Sequence, residues 1–279
     1  MELLRVLELE PTEDGYIGHN LTEGPGAVVF GGQLLAQTVV AAARTLPGKE
    51  VLSLHCAFVR SAQPDEQLDI SVETMSNGRA FGSVTVNIGQ SGKVCARSVV
   101  LLQVPDPDLV RYESPPPASP AADVLPRHGR DDWWDIRYDG DVDISDPDAV
   151  GPPSLDVWSR FPAAPSDDLV TSQALLAYAS DGFLIATAMR PHKGVGQSLA
   201  HVTISTTVLT QTLSFHEPFD ASQWLLLAHE SPYAGRGRSY GSANVYTSDG
   251  RLVASYVQDN MLRDFPADRR PAQGERSAH

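Results

Sequence analysis

Residues 78–86 read GRAFGSVTV, and residues 237–245 read GRSYGSANV. The two stretches align without a gap. They lead into SGKVCARSVV (91–100) and DGRLVASYVQ (249–258), which align after a one-residue shift in the turn before Gly92 and Gly250. In each copy, alternating polar and apolar residues run into a Gly-containing turn and then a second β-rich run, the pattern of a hairpin. A unit that recurs within one chain is one structural plan used twice.

Working upstream, the repeat continues. LSLHCAFVRSAQPDEQLDISVE (52–73) parallels TQTLSFHEPFDASQWLLLAHE (210–230), each a strand, a turn-rich link and a strand. Ahead of these stand two apolar helix candidates, GGQLLAQTVVAAARTL (31–46) and QALLAYASDGFLIATAM (173–189). Each half is thus a helix followed by antiparallel strands. A helix apolar nearly all round needs a sheet that encloses it, so the fold class is α+β, with a helix wrapped by a curled sheet in each half. The repeat divides the chain into residues 1–104, a crossover at 105–168 rich in Pro, Asp, Trp and Arg, residues 169–265, and a polar tail, 266–279, expected to be disordered. The crossover is expected to be mostly irregular, with Trp133, Trp134 and Trp158 on the surface.

Composition excludes several functions. The 279 residues carry a net charge of −14 and no long Lys/Arg run, which argues against nucleic acid as a partner. The two cysteines, Cys56 and Cys95, are no disulfide framework, and a cytoplasmic location is expected. The N-terminus lacks the pattern of a signal peptide, and its Leu3, Leu4, Leu7 spacing predicts a short amphipathic helix. No charge-free apolar run reaches the ~18 residues of a membrane span. No HExxH, CxxC or GxSxG pattern occurs, so neither a metal site nor a serine hydrolase is expected.

VVFGGQLLAQTVVAAA, LSLHCAFVR and VETMSNGRAF closely resemble the N-terminal half of the acyl-CoA thioesterase II family, and LLAYASD, SFHEPF, WLLLAHES and GRLVASYVQDNMLR resemble its C-terminal half. The resemblance implies a double hotdog, two helix-in-sheet units forming a pseudo-dimer in one chain. It also implies acyl-CoA as substrate, hydrolysis to free acid and CoA, no cofactor and no covalent intermediate. It identifies Asp181 and Gln258 with the family's catalytic carboxylate and glutamine, which with a Thr or Ser hold the attacking water. Further pairing of sheet edges into a homo-oligomer is left open.

The repeat carries a separate argument. Aligning Gln33–Ala36 with Ala174–Ala177 sets Asp181 opposite Val40, and the hairpin alignment sets Gln258 opposite Val100. A polar pair in the second half where the first has valines points to one working site and one vacated site. Drift at surface positions is the bland alternative. A carboxylate can accept the proton of an attacking water, and glutamine offers a donor and an acceptor to fix it. A backbone N–H near Gly31–Gly32, where the first helix starts, could polarise the carbonyl, so Gly32 is assigned to substrate binding.

The chain departs from the family in two places. Where the family's hydroxyl sits, eight residues before the His of its FH pair, this chain has Val208. Thr206, Val208 and Thr210 share a face on a regular strand. Thr210 is therefore assigned the hydroxyl's role, with Thr206 second. The alternative is that the hydroxyl is absent and activity weak, at a cost of ~2–4 kcal/mol or roughly 10²–10³ in rate. The strand after GRAF also lacks the family's frequent basic residues. Arg60, Arg79 and Arg238, with Lys93 and Arg236, are the candidate CoA contacts, and His55 joins the substrate-binding set. A non-catalytic acyl-CoA-binding protein and a hydratase acting on acyl thioesters are the competing readings.

Overall fold

The computed structural model describes residues 2–21, 28–129, 132–139 and 142–265; the expected disordered tail lies outside these. The chain opens with the short helix α1 (Glu2–Val6), which buries Leu3, and strands β1 (Glu10–Pro11) and β2 (Gly15–Gly18). The first half continues with helix α2 (Gly31–Thr45) and strands β3 (Glu50–Phe58), β4 (Leu68–Asn77), β5 (Phe81–Gln90) and β6 (Lys93–Gln103). The crossover contains β7 (Arg127–His128), β8 (Asp135–Arg137) and β9 (Ser154–Arg160). The second half comprises α3 (Leu169–Ser180), α4 (Leu184–Met189), β10 (Ile204–Phe215), β11 (Leu225–Gly235), β12 (Arg238–Thr247) and β13 (Leu252–Asp264).

Among the described residues, thirteen strands form one sheet in the order β1-β2-β4-β5-β6-β3-β10-β13-β12-β11-β9-β8-β7. The repeat is visible in that order: β4-β5-β6-β3 mirrors β11-β12-β13-β10. The halves meet where β3 and β10 pair antiparallel, from Thr210↔Ala57 to Ser214↔Ser53. The sheet curls around α2 and α3, which are buried from Gly32 to Ala43 and from Ser172 to Ser180. The helices touch at backbone distance. A Cβ on Gly32 would lie 2.3 Å from the Tyr178 carbonyl oxygen, so only glycine allows this approach.

Three expectations need correction. The predicted helix over 173–189 is broken: α3 stops at Ser180, Phe183 takes a left-handed φ of 70°, and α4 restarts at Leu184. The crossover is also more ordered than its prolines suggest, because β9 pairs with β11 from Ser154 to Ser159 and buries Leu155 and Val157. Its tryptophans are not surface residues. Trp158 is 7% exposed and donates its indole N–H to the Pro120 carbonyl, 2.8 Å away, while Trp133 and Trp134 stack with Phe161 against Tyr178. Finally, Gly82 and Gly241, equivalent in the repeat, face Leu102 and Gln258, so the first-half counterpart of Gln258 is Leu102 and not Val100. The contrast of apolar with polar survives the shift.

Candidate active site

A helix start leaves backbone N–H groups without partners and carries a partial positive charge. The two buried helices meet this need differently. At α3, Asp168 caps its own helix and accepts from the Thr171 N–H at 2.9 Å. At α2, the N-cap is Phe30, which makes no side-chain bond. Its cap comes from the other half of the chain: Asp181 Oδ2 accepts from the Gly32 N–H at 3.0 Å. Gly31 leaves the carboxylate room, since a Cβ there would stand 2.8 Å from Oδ2.

The setting of Asp181 is dry. Tyr178, Trp134, Phe183 and Phe30 form edge-to-face contacts around this end of α3. Burial pushes the Asp181 carboxyl up from its ordinary 3.8 to about 7, and the Gly32 N–H draws it down only in part. Asp181 Oδ1 is buried and has no hydrogen-bond partner.

Gln258 comes to the same place from β13. Its Nε2 donates to the Ser180 carbonyl at 2.9 Å and to Gln211 Oε1 at 2.7 Å. Gln211, fully buried on β10, donates in turn to Ser180 Oγ at 2.5 Å. This network anchors the residue next to Asp181 and leaves the Gln258 carbonyl oxygen buried and unpartnered. The two free acceptors, Asp181 Oδ1 and Gln258 Oε1, are thus on residues linked through Ser180, the chain neighbour of Asp181.

The structure brings Asp181, Gln258 and Gly32 together. It does not bring Thr210. The β10–β13 register shifts at Leu209, between the pairs Val208↔Asn260 and Thr210↔Asp259. This bulge reverses the alternation, so Gln211 points inward and Thr210 outward. Thr206, also weighed for the hydroxyl, is buried and stands 3.4 Å from His201. Counting back from Phe215 and Leu213, two core residues of the same parity, would have found Gln211 in the sequence.

The expected substrate contacts are only partly assembled. His55 lies on the outer face of β3, where its Nδ1 meets Thr212 Oγ1 at 2.7 Å; its neighbours Leu54 and Cys56 take the inner face. Arg79 stands in the β4–β5 turn, at the opposite end of the first-half strands from Arg60, which follows the end of β3. Arg238 is exposed and paired with Asp259 at 3.1 Å. Lys93, the first residue of β6, and Arg236, in the turn between β11 and β12, are both exposed.

The pseudo-symmetric place is empty of this chemistry. A cleft of about 260 Å³ is lined by Val40, Ala43, Arg44 and Leu7 with Asp168, Val170 and Thr171 at the start of α3. Val40 stands there in the position that Asp181 holds at the start of α2. With no carboxylate from the other half, α3 carries its own cap.

Two helix-in-sheet units fused in one chain, with a carboxylate from one half reaching the start of the other half's buried helix, define the class of double-hotdog thioester hydrolases. Residues 22–103 match the acyl-CoA thioesterase N-terminal domain and residues 111–262 the acyl-CoA thioesterase C-terminal domain; the chain belongs to the acyl-CoA thioesterase family. It is 30% identical to the acyl-coenzyme A thioesterase 8 of Rattus norvegicus, over 94% of this chain and 88% of that one. It is 25% identical to the acyl-CoA thioesterase 2 of Haemophilus influenzae, over 94% and 96%. Among solved structures it superposes on the acyl-CoA thioesterase II TesB2 of Mycobacterium marinum with a TM-score of 0.80 and 29% identity, covering 97% of this chain and all of that one.

Proposed function

We propose that this protein hydrolyses fatty acyl-CoA to the free acid and CoA by direct attack of water, with Asp181 as general base. The observation that carries this reading is the pair of buried, unpartnered acceptors, Asp181 Oδ1 and Gln258 Oε1. A water has two hydrogens, and these acceptors take both, which leaves an oxygen lone pair for the thioester carbon. Asp181 removes one proton as the C–O bond forms. The tetrahedral intermediate then collapses, the C–S bond breaks, and the proton held on Asp181 passes to the departing sulfur. Arg60, beyond the end of β3, and Arg238, at the start of β12, lie toward the same end of the sheet from Gln258 and are assigned to the CoA phosphates. Membership of the family supports a role in fatty-acid metabolism, and the free, buried Cys56 and Cys95 support a reducing cytoplasm.

The test is release of free thiol from acyl-CoAs of short to long chain, by wild type and by Asp181→Asn. The amide keeps the shape and loses the base. A fall of at least ~100-fold in kcat is expected, at the low end of what a positioned base contributes. Equal rates would remove Asp181 from the chemistry, and a wild type silent on every chain length would remove the hydrolase.

A further inference from the structure

Val208 leaves the site without the hydroxyl that the family places there, and the residue facing Val208 is Asn260. Asn260 is fully buried, two residues beyond Gln258 on the inner face of β13, and neither its Nδ2 nor its Oδ1 has a partner. On its other side it faces Ser239, also fully buried with its Oγ unpartnered. A buried amide with both atoms unbonded destabilises a fold and persists where a bound group completes it. The hydrogen-bond inventory says which group. Asp181 Oδ1 and Gln258 Oε1 are acceptors and suit the water. The Gly32 N–H, the expected donor to the carbonyl, is already held by Asp181 Oδ2 at 3.0 Å. Among the described residues, Asn260 Nδ2 is the one buried side-chain nitrogen left unpartnered.

Resting on the thioesterase reading above, we propose that Asn260 is a catalytic residue of this chain: its Nδ2 donates to the thioester carbonyl oxygen as negative charge develops there, a donor that a hydroxyl at the facing position 208 could also supply. A donor aimed at a developing oxyanion acts mainly in the transition state, so its removal lowers kcat and leaves KM nearly unchanged.

The experiment compares thiol release and thermal unfolding for wild type, Asn260→Ala, Asn260→Leu and the double variant Val208→Thr/Asn260→Ala. Leucine has a similar volume and keeps the core filled if alanine does not fold. The single variants are expected to lose roughly 100-fold or more in kcat with KM within about 3-fold, a loss typical of a missing oxyanion donor. Their melting temperatures should equal or exceed that of wild type, because an unsatisfied amide has gone. Restoring a hydroxyl with Val208→Thr should recover at least about 10-fold of the lost rate, part of a donor's full effect. Single variants within about 3-fold of wild type in kcat, against the ~100-fold expected, overturn the inference alone. So does a loss that follows a fall in melting temperature, or one that Val208→Thr leaves untouched. A wild type that releases no thiol overturns the thioesterase reading and this inference with it.

Discussion

Asp181 ends one helix and caps another. As the residue after α3 it lies where an acid is unfavourable, since a helix C-terminus carries partial negative charge, yet its carboxylate reaches the start of α2 in the other half. That contact fixes Oδ2 and leaves Oδ1 free to act. Burial sets the carboxyl at about 7, near the pH at which a general base both accepts a proton well and stays deprotonated. kcat/KM should therefore rise tenfold per pH unit below about 7 and level off above it. A pH–rate profile of the free enzyme from pH 5 to 9 reads this directly, and a profile flat across that range would mean that Asp181 is hydrated or not the base. Asp181 and Gln258 were legible in the sequence because each interrupts an apolar pattern that the other half keeps. Thr210 was misread because a β-bulge adds one residue without leaving a pattern; Leu209 looks like any strand leucine. Asn260 was equally hidden, since a polar residue near a strand end is ordinary until its burial is known.

The same division between visible and hidden holds for whole elements. The central helices and paired hairpins announce themselves through periodicity, although the second helix starts earlier, at Leu169, and breaks at Ser180 where an unbroken span over 173–189 is expected. The crossover does not, because SLDVWSR is a short strand between proline-rich flanks, and only its pairing with β11 makes it one. Its role is to bring aromatic surface to the site. Trp134 donates its indole N–H to Ser159 Oγ at 2.8 Å and packs on Tyr178 and Phe183, the residues that flank Ser180, Asp181 and Gly182. The crossover thereby screens the carboxylate from bulk solvent. Trp134→Ala should lower unfolding free energy by roughly 2–3 kcal/mol, less than the ~3–5 of a fully buried tryptophan because Trp134 is half-buried. It should also move the inflection of the pH–rate profile to lower pH, as water reaches Asp181. Urea unfolding and the pH–rate profile of the variant test both effects, and an unmoved inflection would assign the dryness to Phe30 and Tyr178 instead.

Across the whole molecule, duplication supplied two equivalent places and the chain uses one. At the vacated one, Val40 makes a buried, uncharged helix contact. At the working one, Asp181 couples folding to pH. Its carboxyl rises from 3.8 to about 7 on folding, so its contribution is fully present below pH 3.8 and is lost as pH rises through 7. Three pH units correspond to a loss of ~4 kcal/mol. Fully buried His229 acts in the opposite sense. It is bonded through Nδ1 to the Leu155 carbonyl at 2.9 Å and through Nε2 to Tyr256 at 2.7 Å. Burial lowers its imidazole from 6.5 to about 4, so its contribution is present above pH 6.5 and is lost as pH falls through 4. That window is worth ~3 kcal/mol. Between pH 4 and 6.5 the two slopes oppose each other, and the active-site cost of alkaline pH masks the acid sensitivity of the core. Asp181→Asn removes one slope. Its stability advantage over wild type should grow by ~4 kcal/mol between pH 4 and 8, and the variant alone should lose ~3 kcal/mol on acidification from pH 6.5 to 4 as His229 takes up its proton. Urea unfolding of both proteins across this range measures the difference. Parallel curves would show that Asp181 is no harder to ionise in the folded chain than in the unfolded one, and the dry carboxylate on which the site depends would be gone.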